Sequence, residues 1–320
     1  MRLQGLCGGL VAVGLGLAAP PAPGATVLFI SAKAAPAASA WAWRPSESRS
    51  GPVRIKGGAG GDLHGFWAAI PQGKAPPSDA DVTLEATCRK GEADAVVTFG
   101  WEATRAVAAA CDRPLLAVQV TRQQWLSEPL GPSAAPRTAL YLEADPRRHL
   151  PLIRAFLPQA RRIGLLTPPD LLEWLPALRE SARAAGFELE EIPAGSDQEA
   201  VRALRVRLAG LDAVLLPPDP RLINEWSLKP LLLMTVRQGI PMFGGLTARY
   251  VEAGVTASAV VDDADLLDQL RPLVLALARG TVPPPAYPSA ARAAINFTVA
   301  RNLNFSDEAI ERARTLFLRP

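Results

Sequence analysis

Short runs of Val, Leu and Ile, each followed by a helical pattern, recur along most of the chain, and this repetition constrains the fold more than any other feature. The runs are Thr26–Ser31, Ala95–Phe99, Leu115–Val120, Thr138–Leu142, Arg162–Leu166, Glu188–Ile192, Ala213–Leu216 and Ile240–Phe243. Most lack polar alternation, as strands covered on both faces do. Strand–helix repetition of this kind builds parallel sheets with helices on both sides. So many strands are better divided between two sheets than held in one. The fold class expected is therefore α/β, a doubly wound parallel architecture in two lobes.

Helix ends are legible between the runs. Asp145 followed by Pro146 reads as an N-cap and first helical residue, with Pro158 stopping the helix. Ser196 and Glu199 have capping-box spacing, Val201, Leu204 and Leu208 give a buried face, and Gly210 ends that helix. Asp262 or Asp263 opens a helix whose stripe is Leu266, Leu267, Leu270, Leu273, Val274 and Leu277, closed by Gly280. Pro272 should kink or split it. The stretch from Ala34 to Asp79 is weak: Ala37–Trp43 is its one candidate helix and Val53–Lys56 its candidate strand.

Residues 1–24 differ in character from the rest. Arg2 precedes an uncharged stretch, Leu3–Ala19, and Ala22-Pro23-Gly24 offers a small-residue cleavage point. This is the layout of a secretory signal peptide; a retained membrane anchor is the alternative. Removal of the segment would leave no stable membrane insertion and place the mature chain in the periplasm. An oxidising compartment permits Cys88 and Cys111 to pair as a disulfide, the alternative being two buried thiols. His64 and His149 have no partner at ligand spacing, so no metal is expected. The 34 basic residues are matched by 31 acidic ones without a basic stripe, which argues against nucleic acid. No G-x-S-x-G elbow, Walker loop or H-E-x-x-H motif occurs, and Gly57-Gly58-Ala59-Gly60-Gly61 lacks the spacing of a phosphate cradle. No cofactor and no enzymatic activity are expected. An exported α/β enzyme would need a catalytic group that the sequence does not present.

The second half carries a family resemblance. "LIRAFLPQARRIGLL" (Leu152–Leu166), "LLPPDPRLIN" (Leu215–Asn224), "LLLMTVRQGIPMFGG" (Leu231–Gly245), "YVEAGVTASAV" (Tyr250–Val260) and "AINFTVARNL" (Ala294–Leu303) resemble ABC-transporter substrate-binding proteins of the TrpX-like family. The resemblance covers about residues 140–320. It implies a type 1 periplasmic-binding-protein fold: two Rossmann-like doubly wound lobes joined by a hinge, with a ligand cleft between them. Expected boundaries are a signal peptide at 1–24, an N-terminal lobe at 25–158 with a return segment at 249–282, and a C-terminal lobe at 159–248 with a tail at 283–320. The implied function is capture of a small molecule, an amino acid or similar carboxylate, by a monomer that delivers it to an ABC permease. The alternative is a ligand sensor or envelope accessory protein on the same fold.

Open α/β sheets bind ligands beyond the carboxyl ends of their strands, and those ends nominate residues. Ser31 ends the first strand. Gly100, Trp101 and Thr104 follow Ala95–Phe99, and Tyr141 and Glu143 lie at the end of Thr138–Leu142. Thr167 ends Arg162–Leu166, Asp219 and Asn224 follow Ala213–Leu216, and Gly244 and Thr247 follow Ile240–Phe243. The resemblance implies that Asp219 would pair with a ligand amine; the alternative is that it shapes a turn. Trp101 is a candidate for stacking on a guest, or for packing. The chain departs from the family at Pro168-Pro169-Asp170, at Gly244-Gly245-Leu246 and at Asp262-Asp263-Ala264.

Overall fold

The computed structural model describes residues 25–31, 64–70, 94–110, 112–170 and 173–317. In chain order, its first elements are β1 (Ala25–Ser31), β2 (His64–Ile70), β3 (Ala95–Phe99), α1 (Trp101–Ala110), β4 (Leu115–Val120), α2 (Arg122–Ser127) and β5 (Arg137–Tyr141). A 3-10 turn at Pro146–Arg148 leads into α3 (His149–Phe156), β6 (Arg162–Thr167), α4 (Leu175–Ala184), β7 (Glu188–Pro193) and α5 (Asp197–Arg207). Then come β8 (Ala213–Leu216), α6 (Glu225–Arg237), β9 (Met242–Gly244), α7 (Ala248–Glu252) and β10 (Ala257–Val260). The chain ends with α8 (Asp263–Ala278), β11 (Arg292–Ile295), α9 (Phe297–Asn302) and α10 (Asp307–Thr315).

Two sheets result. The first has the order β2-β1-β3-β4-β5, and the second β11-β10-β9-β8-β6-β7. All neighbours pair in parallel except β1 with β2 and β10 with β11, which are antiparallel edge pairs. The apolar runs are continuous because each sheet is covered twice, and the two-residue period of a strand sends alternate residues to opposite faces. In the first sheet Val96, Leu115, Ala117 and Ala139 face α1, meeting Ala103 and Val107. Val27, Val97, Leu116, Val118 and Leu140 face the other way, onto Leu266, Leu270, Val274 and Leu277 of α8. In the second sheet Ile163, Leu165, Ala213, Leu215 and Phe243 pack on α3, α4 and α10. Leu166, Val214, Leu216 and Met242 pack on α5, α6 and α7.

The chain passes between the lobes at 142–148, at 261–262 and at 287–291, since β5, α8 and Ala286 belong to the first sheet's layer while α3, β10 and β11 belong to the second. Buried Ala144, Ala259 and Ala291 pack together where the three passages meet. These positions correct the expected lobe boundaries. The helix at 149–156 belongs to the C-terminal lobe: Leu150, Leu152, Ile153 and Phe156 are all in its core. Pro158 ends that helix without ending the lobe. Likewise β10 and α7 stay in the C-terminal lobe, so α8 and the residues after it as far as Ala286 are what returns to the first.

Pro283-Pro284-Pro285 belongs to the first lobe, although a tail of the C-terminal lobe was expected from 283. It runs beside β5, where Thr138 Oγ1 donates to the Pro283 carbonyl and the Ala286 N–H to that of Ala139. α8 continues through Pro272 as one helix of 16 residues. At the start of α5, Ser196 Oγ accepts from the Glu199 N–H as expected, but the Glu199 carboxylate takes the Gly195 N–H, one residue before the cap, so the reciprocal half of the box is not made. Asp145 caps the 3-10 turn, its side chain accepting from the Arg147 N–H. Cys88, Cys111, residues 1–24, and the helix and strand expected at Ala37–Trp43 and Val53–Lys56 lie outside the described residues.

Candidate functional site

The C-terminal sheet reverses its winding between β6 and β8: β7 lies on one side of β6, while β8, β9 and β10 run out on the other. Loops leaving two such strands diverge and open a crevice. The two strands run out alike: β6 ends in Leu165-Leu166-Thr167 and is followed by Pro168-Pro169-Asp170, and β8 ends in Leu215-Leu216 and is followed by Pro217-Pro218-Asp219. Proline fixes φ, so each Pro-Pro pair is a stiff spacer carrying a carboxylate a short way past its strand.

Arg221 lies between those carboxylates. Its Nε donates to Asp219 Oδ1 at 3.0 Å and Oδ2 at 3.2 Å, and its Nη2 donates to Asp219 Oδ2 at 2.6 Å and Asp170 Oδ1 at 3.0 Å. Nη1 donates to Asp170 Oδ2 at 2.8 Å. The Arg221 backbone N–H completes the set on Asp219 Oδ1 at 2.9 Å. Asp219 is 2% exposed and holds four hydrogen bonds from this one residue, about the capacity of a carboxylate. Asp219 therefore shapes its own turn and pairs with a cation of the chain. Hydrogen bonding by the Arg221 side chain also holds the Asp170 carboxyl below the usual carboxylate range, and the two carboxylates raise the guanidinium above its ordinary value.

The N-terminal lobe meets this group through the start of α2. Thr121 caps α2 in a full capping box with Gln124, which fixes the two residues between them. Gln123 Nε2 donates to Asp170 Oδ2 at 3.0 Å, and Arg122 Nη2 pairs with Glu173 Oε2 at 3.3 Å. The ends of β4 and β6 thus face each other across the gap.

Behind that rim Glu143 is 2% exposed. Its Oε1 accepts from the Arg122 backbone N–H at 2.9 Å, and its Oε2 is buried with no hydrogen-bond partner. Burial pushes its carboxyl up from the ordinary 4.5 to about 7, the Arg122 N–H only partly offsetting the loss of water. Arg122 lies over the Tyr287 ring at 5.6 Å, and Tyr287 meets Tyr141 edge-on with ring centroids 5.2 Å apart. Burial raises the Tyr141 phenol to about 12.

The other nominated residues divide by what their own groups are bound to. Ser31 ends β1 beside Phe99. Gly100, at φ +84°, turns the chain from β3 into α1. The Trp101 indole N–H donates to Glu128 Oε2 at 2.6 Å, and the buried Thr104 hydroxyl donates to the Gly100 carbonyl and lies 2.8 Å from that of Thr98, so both are tied within their own lobe. Thr167 is buried at the end of β6. Asn224 caps α6, its side chain accepting from the Trp226 and Ser227 N–H groups. Gly244 ends β9 pressed against β8, and Thr247 precedes α7 without a side-chain cap bond. The structure thus joins Glu143, Tyr141 and Asp219 to Arg122, Gln123, Asp170, Glu173, Arg221 and Tyr287, which strand ends alone did not nominate. The repeated Pro-Pro-Asp was the sequence signal for Asp170. Among the described residues no group of His, Cys, Asp and Glu could hold a metal ion, and no helix is long and apolar enough to cross a membrane.

No protein-family model matches the chain, and no curated protein matches it. Its coordinates are similar to several solved structures. One is a Streptococcus pneumoniae protein, described as an ABC domain in complex with L-Trp, with a TM-score of 0.52 and 20% identity over 69% of this chain and 78% of that one. A conserved domain protein from Vibrio cholerae gives 0.53 and 21% over 69% and 77%. The ligand-free, open form of a Clostridium difficile substrate binding protein with adhesive properties gives 0.53 and 17% over 68% and 75%. The fold is the type 1 periplasmic-binding-protein fold.

Proposed function

We propose that the chain is an exported solute-binding protein that takes a small molecule into the crevice between its lobes, leaves it chemically unchanged, and delivers it to an ABC permease from the periplasm. The observation that carries this reading is the facing of the β4 and β6 loops across a gap whose two walls are separately packed lobes joined by three short passages. Such a pair can close on a guest, and the guest then shifts the population toward the closed form. The solved structures with this fold include one holding L-Trp and one described as a substrate binding protein, which supports capture of a solute. A sensor or accessory protein without a transport role is the second reading; the Arg221 bridge favours it by leaving less of the crevice to a guest.

Tryptophan fluorescence supplies the test, since all seven tryptophans lie beyond residue 24. Fluorescence and thermal shift are followed against amino acids, small carboxylates and nucleosides. A saturable response to one class, with a smaller radius of gyration when bound, is the expected result. No response across the library would remove the capture reading in favour of the second. Turnover of a bound compound would overturn both.

A further inference from the structure

Two carboxylates on stiff spacers at the switch point of a sheet form a ready-made cation site. In this chain the site is already filled. The Arg221 guanidinium makes five side-chain hydrogen bonds to Asp219 and Asp170. A ligand ammonium approaching Asp219 would find its oxygens taken and 2% of the residue exposed. It would also have to displace a cation that is tethered two residues away, and is therefore present at high effective concentration. The planar fork suits two carboxylates better than a single ammonium does.

We propose that Arg221 is the built-in occupant of the crevice's cation site and sets its specificity, so that the solutes it accepts are those without an ammonium or guanidinium group to place at Asp219. This rests on the crevice being a solute site, and it narrows the class: solutes held by an ammonium at Asp219, as a free amino acid would be, are excluded. Gln123 reaches Asp170 from the opposite lobe, so the occupied site also forms part of the wall that a guest meets on closure.

The test is chemical rescue. Arg221→Ala and Arg221→Gln are titrated with methylguanidinium at constant ionic strength, with tetramethylammonium as the control cation, and binding is read by thermal shift and tryptophan fluorescence. The expected result is saturable binding of methylguanidinium to either variant, at least about tenfold tighter than to the wild-type chain and lost when Asp219→Asn is added. Should Arg221→Ala fail to fold alone, Arg221→Gln keeps a neutral polar side chain at the position and carries the comparison. Equal affinity for variant and wild type, or no binding to either, would overturn the assignment. So would a wild-type chain that binds an amino acid and loses it on Asp219→Asn. Rescue in a protein that takes no solute would uphold Arg221 as the occupant of the cation site while removing the capture reading and with it the role in specificity.

Discussion

Replacing Glu143 by Gln should stabilise the protein at neutral pH and leave it unchanged in mild acid. Glu143 is buried, one of its oxygens has no partner, and its carboxyl is raised from 4.5 to about 7. A carboxyl raised by folding contributes stability while it is protonated in the folded state, and that contribution is lost as pH rises through the window between the two values. The window here is 4.5 to about 7, and the loss across it is about 3 kcal/mol. His149 works in the opposite sense. It is 4% exposed, with Nδ1 3.1 Å from the Pro146 carbonyl and Nε2 3.2 Å from Ser258 Oγ, and burial lowers it from 6.5 to about 4. Its contribution is present above 6.5 and lost as pH falls toward 4, again by about 3 kcal/mol. The two slopes nearly cancel between 4.5 and 6.5. Glu143→Gln keeps an oxygen for the Arg122 N–H and removes one of them, so the variant should gain stability steadily from pH 4.5 to 7 relative to the wild type, and should stay about 3 kcal/mol ahead at pH 8. With a urea slope of about 3 kcal/mol/M, that is a midpoint roughly 1 M higher. Urea titrations at several pH values, followed by circular dichroism, read the difference directly. A difference that does not change with pH, or a variant less stable than wild type at pH 8, would refute the reasoning.

Four further substitutions, at three positions, test the backbone and capping of the C-terminal lobe. Gly244 has φ +96°, and a Cβ there would lie 2.7 Å from the Leu216 carbonyl oxygen, so Gly244→Ala should cost about 3 kcal/mol or more. Gly239, at φ +68° with nothing within 4 Å of a Cβ, is its control and should cost only about 1 kcal/mol as Gly239→Ala; the comparison is made by thermal denaturation. Asn224→Ala removes the capping box of α6 and should cost about 1 kcal/mol; Asn224→Asp keeps the acceptor but sets a carboxylate oxygen where the amide now donates to Asp197 at 3.4 Å and to the Pro220 carbonyl at 3.3 Å, so its melting temperature should also fall below that of the wild type.

The strands were legible because burial on both faces writes itself as uninterrupted Val, Leu and Ile. The observed β3, β4 and β8 have the expected limits, and the other strands named from the sequence within the described residues differ only at their ends. β10 and β11 were not legible. Ala257-Ser258-Ala259-Val260 and Arg292-Ala293-Ala294-Ile295 have few β-branched residues, and their pairing comes from the sheet they join. The expected boundary at 158 followed the resemblance over Leu152–Leu166, and a resemblance in sequence does not say which core buries a helix. Six of the eight residues of α3 are buried, and only the structure shows which sheet buries them. Asp219 could be nominated from its place past a strand. Its partner could not, since the direction in which Arg221 turns depends on a second carboxylate 51 residues away.

The geometry separates what selects a guest from what lets the lobes close. Arg221, Asp170 and Asp219 all belong to the C-terminal lobe, so their bridge neutralises charge within one wall of the crevice and does not by itself hold the two walls together. The rim contacts that cross among the described residues, from Gln123 to Asp170 and from Arg122 to Glu173, are one polar hydrogen bond and one ion pair whose acidic side chain is 53% exposed. An exposed pair of this kind contributes about 0–1 kcal/mol. Swinging a two-state equilibrium from 1:99 to 99:1 takes about 5.5 kcal/mol, well beyond the reach of these rim contacts. A guest bound at micromolar affinity brings about 8 kcal/mol, and part of that suffices. On the proposed reading the closed population is therefore controlled by the solute, and the rim contacts adjust it only at the margin. Substitutions at Gln123 should shift solute affinity slightly and uniformly, whereas those at Arg221 should change which solutes bind at all.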